Sequence, residues 1–322
     1  MKRSIKIIKN RSDIGAGTRG SDMGVDAIEI AAINKGSQYF NEHPFIEVQT
    51  RNESVYRADQ NAFAKRIEEV KEQCDRLAAV VRQTLTDSEF PLIFSGDHSS
   101  AIGSIAGIKA AYPDKLLGVI WIDAHADLHS PYTTPSGNLH GMPLAATIGE
   151  DNFPCKLNEV PELTSIYWEH LKNIGIKGPK IKPEHLIYFG VRDTEESEDK
   201  LIENLGIKNY QVSEIRRRGM DVCVQEAISQ LSDCDVLYMS FDVDSMDCDL
   251  ISDGTGTPVP KGFDQQEIIA MTEKIINSGK VICFEVVEVN PLLDHKGNRM
   301  AEVTFEILEQ ITQPMLNSLD IN

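Results

Sequence analysis

Residues 117–143 read LGVIWIDAHADLHSPYTTPSGNLHGMP, and the change of character inside this stretch sets the reading of the whole chain. Leu117 to Ile122 is a continuous apolar run of strand length, the pattern of a strand buried on both faces. Directly after it come Asp123, His125, Asp127 and His129 at alternate positions. In an extended backbone, residues two apart point to the same side, so these four side chains are expected to converge just beyond the strand. Carboxylates and imidazoles gathered there need partners, because an unpaired buried charge is costly. A metal ion, or a pair of them, would be such a partner.

Working outward, strand-like segments occupy 4–9, 45–50, 91–95, 185–191, 208–212, 236–243 and 281–287. Helical patterns fall between them at 25–35, about 61–84, 101–111, 195–205, 222–231, 265–277 and 301–316. Roughly eight strands alternating with helices predict an α/β protein with a mostly parallel sheet and helices on both sides. Ligands in such sheets bind beyond the carboxyl ends of the strands. No repeat or domain boundary interrupts the pattern, so residues 1–322 are expected to form a single domain. The stretch 151–182, rich in Pro, Gly and Lys, is expected to be a surface excursion.

Three other strands also end in ligand-type groups. Gly96-Asp97-His98-Ser99 follows one, Asp242, Asp244 and Asp247 close another in SFDVDSMD, and Glu285 and Glu288 lie in FEVVEVNP. A lone Asp or His at a strand end is ordinary turn chemistry. Four such endings on one edge of a sheet point to a site. Carboxylates with a few imidazoles suit a hard or borderline ion such as Mn²⁺. Two ions sharing carboxylates would activate water and polarise an electrophile, which makes hydrolysis the expected reaction class.

Composition limits the partners. A formal charge of −18 over 322 residues argues against nucleic acid or an anionic membrane as a partner. No apolar run is long enough to span a bilayer, and MKRSIKIIKN lacks the apolar core of a signal peptide. Six scattered cysteines without a CxxC pair fit reduced thiols and a cytoplasmic location. Gly15-x-Gly-x-x-Gly20 spells a dinucleotide fingerprint by letter, but the acidic partner such a site needs on a second strand is missing. That loop is expected to edge the active site instead.

GDHS, DAHAD, SGNLHG, SFDVDSMD, TGTPV (residues 255–259) and EVNP together resemble the ureohydrolases, from the loop near Gly15 to about Thr304. The last motifs are closer to arginases than to agmatinases or formimidoylglutamases. The resemblance implies a three-layer α/β/α fold. It also implies one Mn²⁺ on His98, Asp123, Asp127 and Asp242, and a second on His125, Asp123, Asp242 and Asp244, with Asp123 and Asp242 bridging. The substrate would be L-arginine and the products urea and L-ornithine. Asp127 would pass a proton to the leaving amine, His140 would shuttle protons, and Glu288 would pair with the guanidinium, assisted by Thr257. Ser136, Asn138 and His129 would receive the α-carboxylate, and Glu195, with Glu198, the α-amino group. Assembly as a homo-oligomer, a trimer or hexamer, is implied as well.

Two positions depart from the family. His129 stands where Asn is usual and Glu195 where Asp is usual. Both belong to the amino-acid grip rather than to the metals, which leaves agmatine or another guanidino or formimidoyl substrate open. A non-catalytic metal-binding relative is the alternative from another class. His43, His170, His185 and His295 have no ligand-type neighbours in sequence and are expected to be surface or packing residues, and Glu285 a core carboxylate.

Overall fold

In the computed structural model, residues 4–57 and 61–319 are described. Eight strands make one sheet: β1 (Ile5–Asn10), β2 (Phe45–Glu47), β3 (Phe90–Ser95), β4 (Leu117–Ile122), β5 (Leu186–Phe189), β6 (Lys208–Tyr210), β7 (Val236–Asp242) and β8 (Val281–Val287). Their spatial order is β2-β1-β3-β8-β7-β4-β5-β6, and every pairing is parallel. The predicted sheet is therefore present, with boundaries shifted by a few residues.

Why the strands read as unbroken apolar runs is plain in β4. Ile120 and Ile122 point into one core with the helices Gly24–Asn34, Met220–Gln230, Gln265–Ile276 and Arg299–Leu319. Val119 and Trp121 point into another, on the side of the helices Ile67–Thr86, Ala101–Ala111 and Glu196–Leu205. The period-2 alternation persists, but both faces are dry, so both sets of positions must be apolar.

Three expectations need correction. The helix expected from about residue 61 starts at Ile67, because Arg66 turns the chain into the left-handed region at φ 55°. The second strand stops at Glu47 and is exposed throughout, as befits the sheet edge. The stretch 151–182 is only partly a surface excursion. It contains the helix Glu162–Lys172, whose Thr164, Trp168 and Leu171 are buried at helical spacing. Trp168 and Leu171 pack in a third apolar cluster with Val70 and Cys74 of the helix Ile67–Thr86, and Trp168 Nε1 donates to Asp151 Oδ1 at 2.6 Å.

The order of the central strands decides where the chemistry lies. Those carrying the four ligand-type endings are β3, β8, β7 and β4, immediate neighbours in the sheet although far apart in sequence. Parallel strands all release their chains at the same edge, so the four endings meet there.

Candidate active site

Asp123 lies at the centre of the carboxyl edge. Its Oδ2 is 3.0 Å from His98 Nδ1, and its Oδ1 is 3.6 Å from His125 Nδ1. Around His98 Nδ1, Asp127 Oδ2 and Asp242 Oδ2 each lie at 3.2 Å. Around His125 Nδ1, Asp244 Oδ2 lies at 3.0 Å. Two donor groups result, His98–Asp123–Asp127 and Asp123–His125–Asp244, each close enough to hold one ion. Asp123 belongs to both. Asp123 and Asp242 are held alike, since Asp123 Oδ1 accepts the His125 backbone N–H at 2.7 Å and Asp242 Oδ1 the Asp244 backbone N–H at 2.9 Å.

The polar groups around His98 identify what this cluster is built for. Its Nε2 is 2.7 Å from Ser240 Oγ, and its ring stacks on Trp121 with centroids 3.9 Å apart, so the imidazole cannot swing away. With Nε2–H donating to the serine, Nδ1 turns a lone pair toward three carboxylates. His98 Nδ1 and Asp123 Oδ2 are both buried without a properly directed hydrogen bond. Buried polar atoms are nearly always satisfied, so a cation is the missing partner, and the residues present fit divalent ions.

The same demand shows in the titration of these groups. Burial works to lower the pKa of His98, yet Asp123, Asp127 and Asp242 raise it well above its ordinary value. His125 behaves alike, with Asp244 and Asp123 overcoming burial. Burial and the neighbouring Asp123 push Asp127 up to about 6, and burial with Asp244 and Asp123 lifts Asp242 well above the carboxylate range. Clustered carboxylates resist ionising together, and a divalent ion removes that penalty.

Two of the site residues carry backbone strain. Asp127 and Glu288 hold φ values of 51° and 67°, in the left-handed region that non-glycine residues seldom occupy. Such strain persists where the surroundings over-determine it. At Asp127 it has a visible consequence, because the extended run ends there. The carboxylate joins the ligand cluster, while His129, expected to converge with the other three, is turned away. Its Nδ1 meets Thr133 Oγ1 at 3.1 Å and its Nε2 meets Glu195 Oε2 at 2.9 Å. His129 lines the cleft, but both ring nitrogens are already engaged.

The remaining predicted residues line the same cleft, a cavity of about 290 Å³, near the small end of about 300–1,000 Å³ for small-molecule sites. Glu288 is buried at its floor, and its Oε1 accepts the His98 backbone N–H at 3.1 Å and lies 3.0 Å from His140 Nδ1. Burial opposes protonation of His140, but Glu288 wins and lifts its pKa to about 9. Thr257 directs its hydroxyl to Asp244 Oδ2 at 3.0 Å, so its hydrogen bond goes to the metal cluster and not to Glu288. Ser136 Oγ accepts the Asn138 N–H at 3.1 Å, in a turn where Gly137 has φ 74° and a Cβ would sit 2.0 Å from Ala62 O. Glu195 and Glu198 form a capping box at the start of the helix Glu196–Leu205. Glu198 also accepts the Leu128 N–H at 3.0 Å. Its burial raises its pKa to about 8.

The Gly-rich loop edges the site as expected, since Gly15 O accepts the His140 N–H at 3.1 Å and Gly15 N–H donates to Asp97 Oδ2 at 2.9 Å. Glu285 is buried away from the cluster, taking hydroxyl hydrogen bonds from Ser95, Ser100 and Tyr238. His185 is buried, His43 half-buried, and His170 and His295 exposed. Three contributors were given no role in the sequence reading. Asp97 ties the Gly-rich loop to the turn that carries His98. Ser240 fixes the His98 ring, and its position two before Asp242 on one strand face was a usable signal. Asp193 lines the cleft with its Oδ2 3.6 Å from His125 Nε2.

A parallel sheet with carboxylate–imidazole groups clustered at its carboxyl edge is an arrangement suited to metal-assisted hydrolysis. Residues 3–313 match the profile of the Arginase family. The arginase of Bacillus subtilis is 35% identical over 313 residues, which cover 97% of this chain and 98% of that protein. The arginase of Brevibacillus brevis is 35% identical over 325 residues, with coverage of 97% and 98%. The solved arginase of Bacillus caldovelox superposes with a TM-score of 0.82 at 34% identity, covering 96% of this chain and 98% of that one. The chain belongs to the arginase family and is a hydrolase acting on a guanidino C–N bond.

Proposed function

We propose that the chain hydrolyses L-arginine to L-ornithine and urea, using two Mn²⁺ ions held by His98, Asp123, Asp127 and Asp242 and by His125, Asp123, Asp242 and Asp244. The observation that carries this reading is Asp123, whose two oxygens face two separate imidazole-bearing groups. When bound, the ions supply an activated water and polarise the guanidinium carbon.

The protein's own groups do the rest. Glu288, buried at the floor, receives the guanidinium, a charge-assisted pairing. Asp127, within the ligand cluster beside His98 and Asp123, takes up a proton from the attacking water and passes it to the leaving amine. His140 lies 3.0 Å from Glu288 on the cleft wall and moves protons between the site and solvent. Thr257 keeps Asp244 in place. Ser136 and Asn138 take the α-carboxylate, and Glu195 takes the α-amino group. Glu198 braces Glu195 through the capping box, and His129 enters as the group that holds the Glu195 carboxylate. The chain 1–322 acts as one catalytic domain. By resemblance to the family, it works in the cytoplasm as a trimer or hexamer. Among the described residues no helix is long and apolar enough to cross a membrane.

Agmatine is the second reading, favoured by a cleft lined with carboxylates and without lysine or arginine. Urea release from L-arginine, agmatine and guanidinobutyrate, with and without added Mn²⁺, separates the readings. Preference for L-arginine is expected. Preference for agmatine would overturn the substrate, and no urea from any of them would overturn the reaction.

A further inference from the structure

We infer that Lys65 is the cation that reads the substrate's α-carboxylate, and so the residue that sets L-arginine apart from agmatine. This rests on the arginine reading above and adds to it a residue that no motif contains. The cleft wall carries Asp127, Asp193, Glu195, Asp242, Asp244 and Glu288, with no lysine or arginine among its lining residues. A substrate carboxylate entering that field is repelled unless a cation offsets it.

The other nearby cations are engaged. Both ring nitrogens of His129 have protein partners. Arg192 spends its guanidinium on the carbonyls of Gly190, Asp244, Val259 and Pro260. Lys65 differs. Its Nζ stands 3.3 Å from Asn138 Oδ1, and Asn138 lines the cleft. An ammonium has three donors, and this is the one side-chain hydrogen bond Lys65 makes among the described residues, with no carboxylate paired to it. Its placement is built into the fold, because the Lys65 backbone N–H donates to Gly137 O at 2.8 Å. The close approach of Gly137 to Ala62 clamps the same two segments together. A part-buried ammonium with one of its three donors engaged is thereby fixed beside the turn proposed to receive the carboxylate.

Lys65→Gln and Lys65→Arg test the assignment in the Mn²⁺-loaded protein. Glutamine keeps a donor for Asn138 but removes the charge, whereas arginine keeps both. For Lys65→Gln, KM for L-arginine is expected to rise about two- to fivefold, the range of a partly exposed ion pair, with kcat and bound metal retained. L-ornithine, which bears the same carboxylate, should bind more weakly by a similar factor in calorimetry. Lys65→Arg should restore both. An unchanged KM in Lys65→Gln would reduce Lys65 to a prop for Asn138 and overturn the proposal, as would a fall in kcat without a change in KM. A wild-type protein that releases no urea from L-arginine would instead overturn the substrate reading, independently of either variant.

Discussion

His129 and Glu195 face each other across the cleft, Nε2 to Oε2 at 2.9 Å, and they are the two positions read in the sequence as departures in the amino-acid grip. The departures are therefore one change rather than two. An imidazole reaches farther than an asparagine amide and a glutamate farther than an aspartate, so together they span the cleft.

The pair should be visible in the pH dependence of stability. Burial lowers the His129 pKa, but Glu195 and Glu198 raise it above its ordinary value. Stability from the pair is thus fully present below the unfolded histidine pKa of about 6.5 and is lost as pH rises through the raised value. Glu195 is 56% exposed, so the effect is about 0.5–1 kcal/mol. Denaturant unfolding of wild type and His129→Asn at pH 6 and pH 9 should show a gap at the lower pH that closes at the higher. An equal gap at both would mean the contact carries no charge pairing.

Metal and stability should be linked through Asp242. Removing a carboxylate from an overcrowded cluster relieves repulsion in the metal-free protein, so Asp242→Asn should raise the melting temperature after chelation. The same variant should lose the rise that Mn²⁺ gives wild type, because ligand binding to the folded state is what produces that rise. Two tightly held ions in Asp242→Asn by metal analysis would remove Asp242 from the ligand set.

His140 is placed for proton transfer and not for metal binding, since its Nδ1 meets Glu288 and not the ligand carboxylates. His140→Asn should lower kcat roughly tenfold or more, as loss of a general acid–base group does, with metal content unchanged. Loss of metal would make it a ligand, and an unaltered kcat would make it a bystander.

The buried helix of residues 162–172 gives a test unrelated to catalysis. Trp168 is fully buried, so Trp168→Ala should cost about 3–5 kcal/mol. Leu157, 75% exposed, should tolerate alanine within about 0.5 kcal/mol. Equal, small effects would return the whole stretch 151–182 to the surface.

Much of the site was legible in sequence because its carriers are strand ends. Asp123 and His125 follow an unbroken apolar run, Asp242 and Asp244 one interrupted only by Ser240, and a run buried on both faces announces its own termination. His98 and Glu288 announced themselves the same way. The buried helix carrying Trp168 was harder to see, because its four buried positions, Thr164, Trp168, Leu171 and Lys172, are diluted by Pro, Gly and Lys on either side. Lys65 was not legible at all, since a lone lysine before a charged helix looks like any solvated side chain.

The sequence alone pointed to the alternation of strands and helices, the parallel sheet and the carboxylates and imidazoles that end its central strands. Each of these is written locally, in periodicity and in residue chemistry within a few positions. Only the tertiary structure decided which groups meet. The order β3-β8-β7-β4 brings His98, Glu288, Asp242 and Asp123 to one edge, and strand order depends on crossovers that no local pattern records. The left-handed turn at Asp127 took His129 out of the ligand cluster and gave it to Glu195, 66 residues later in the chain. A backbone reversal of that kind is imposed by the packing around it, and extrapolating an alternating pattern through it cannot succeed.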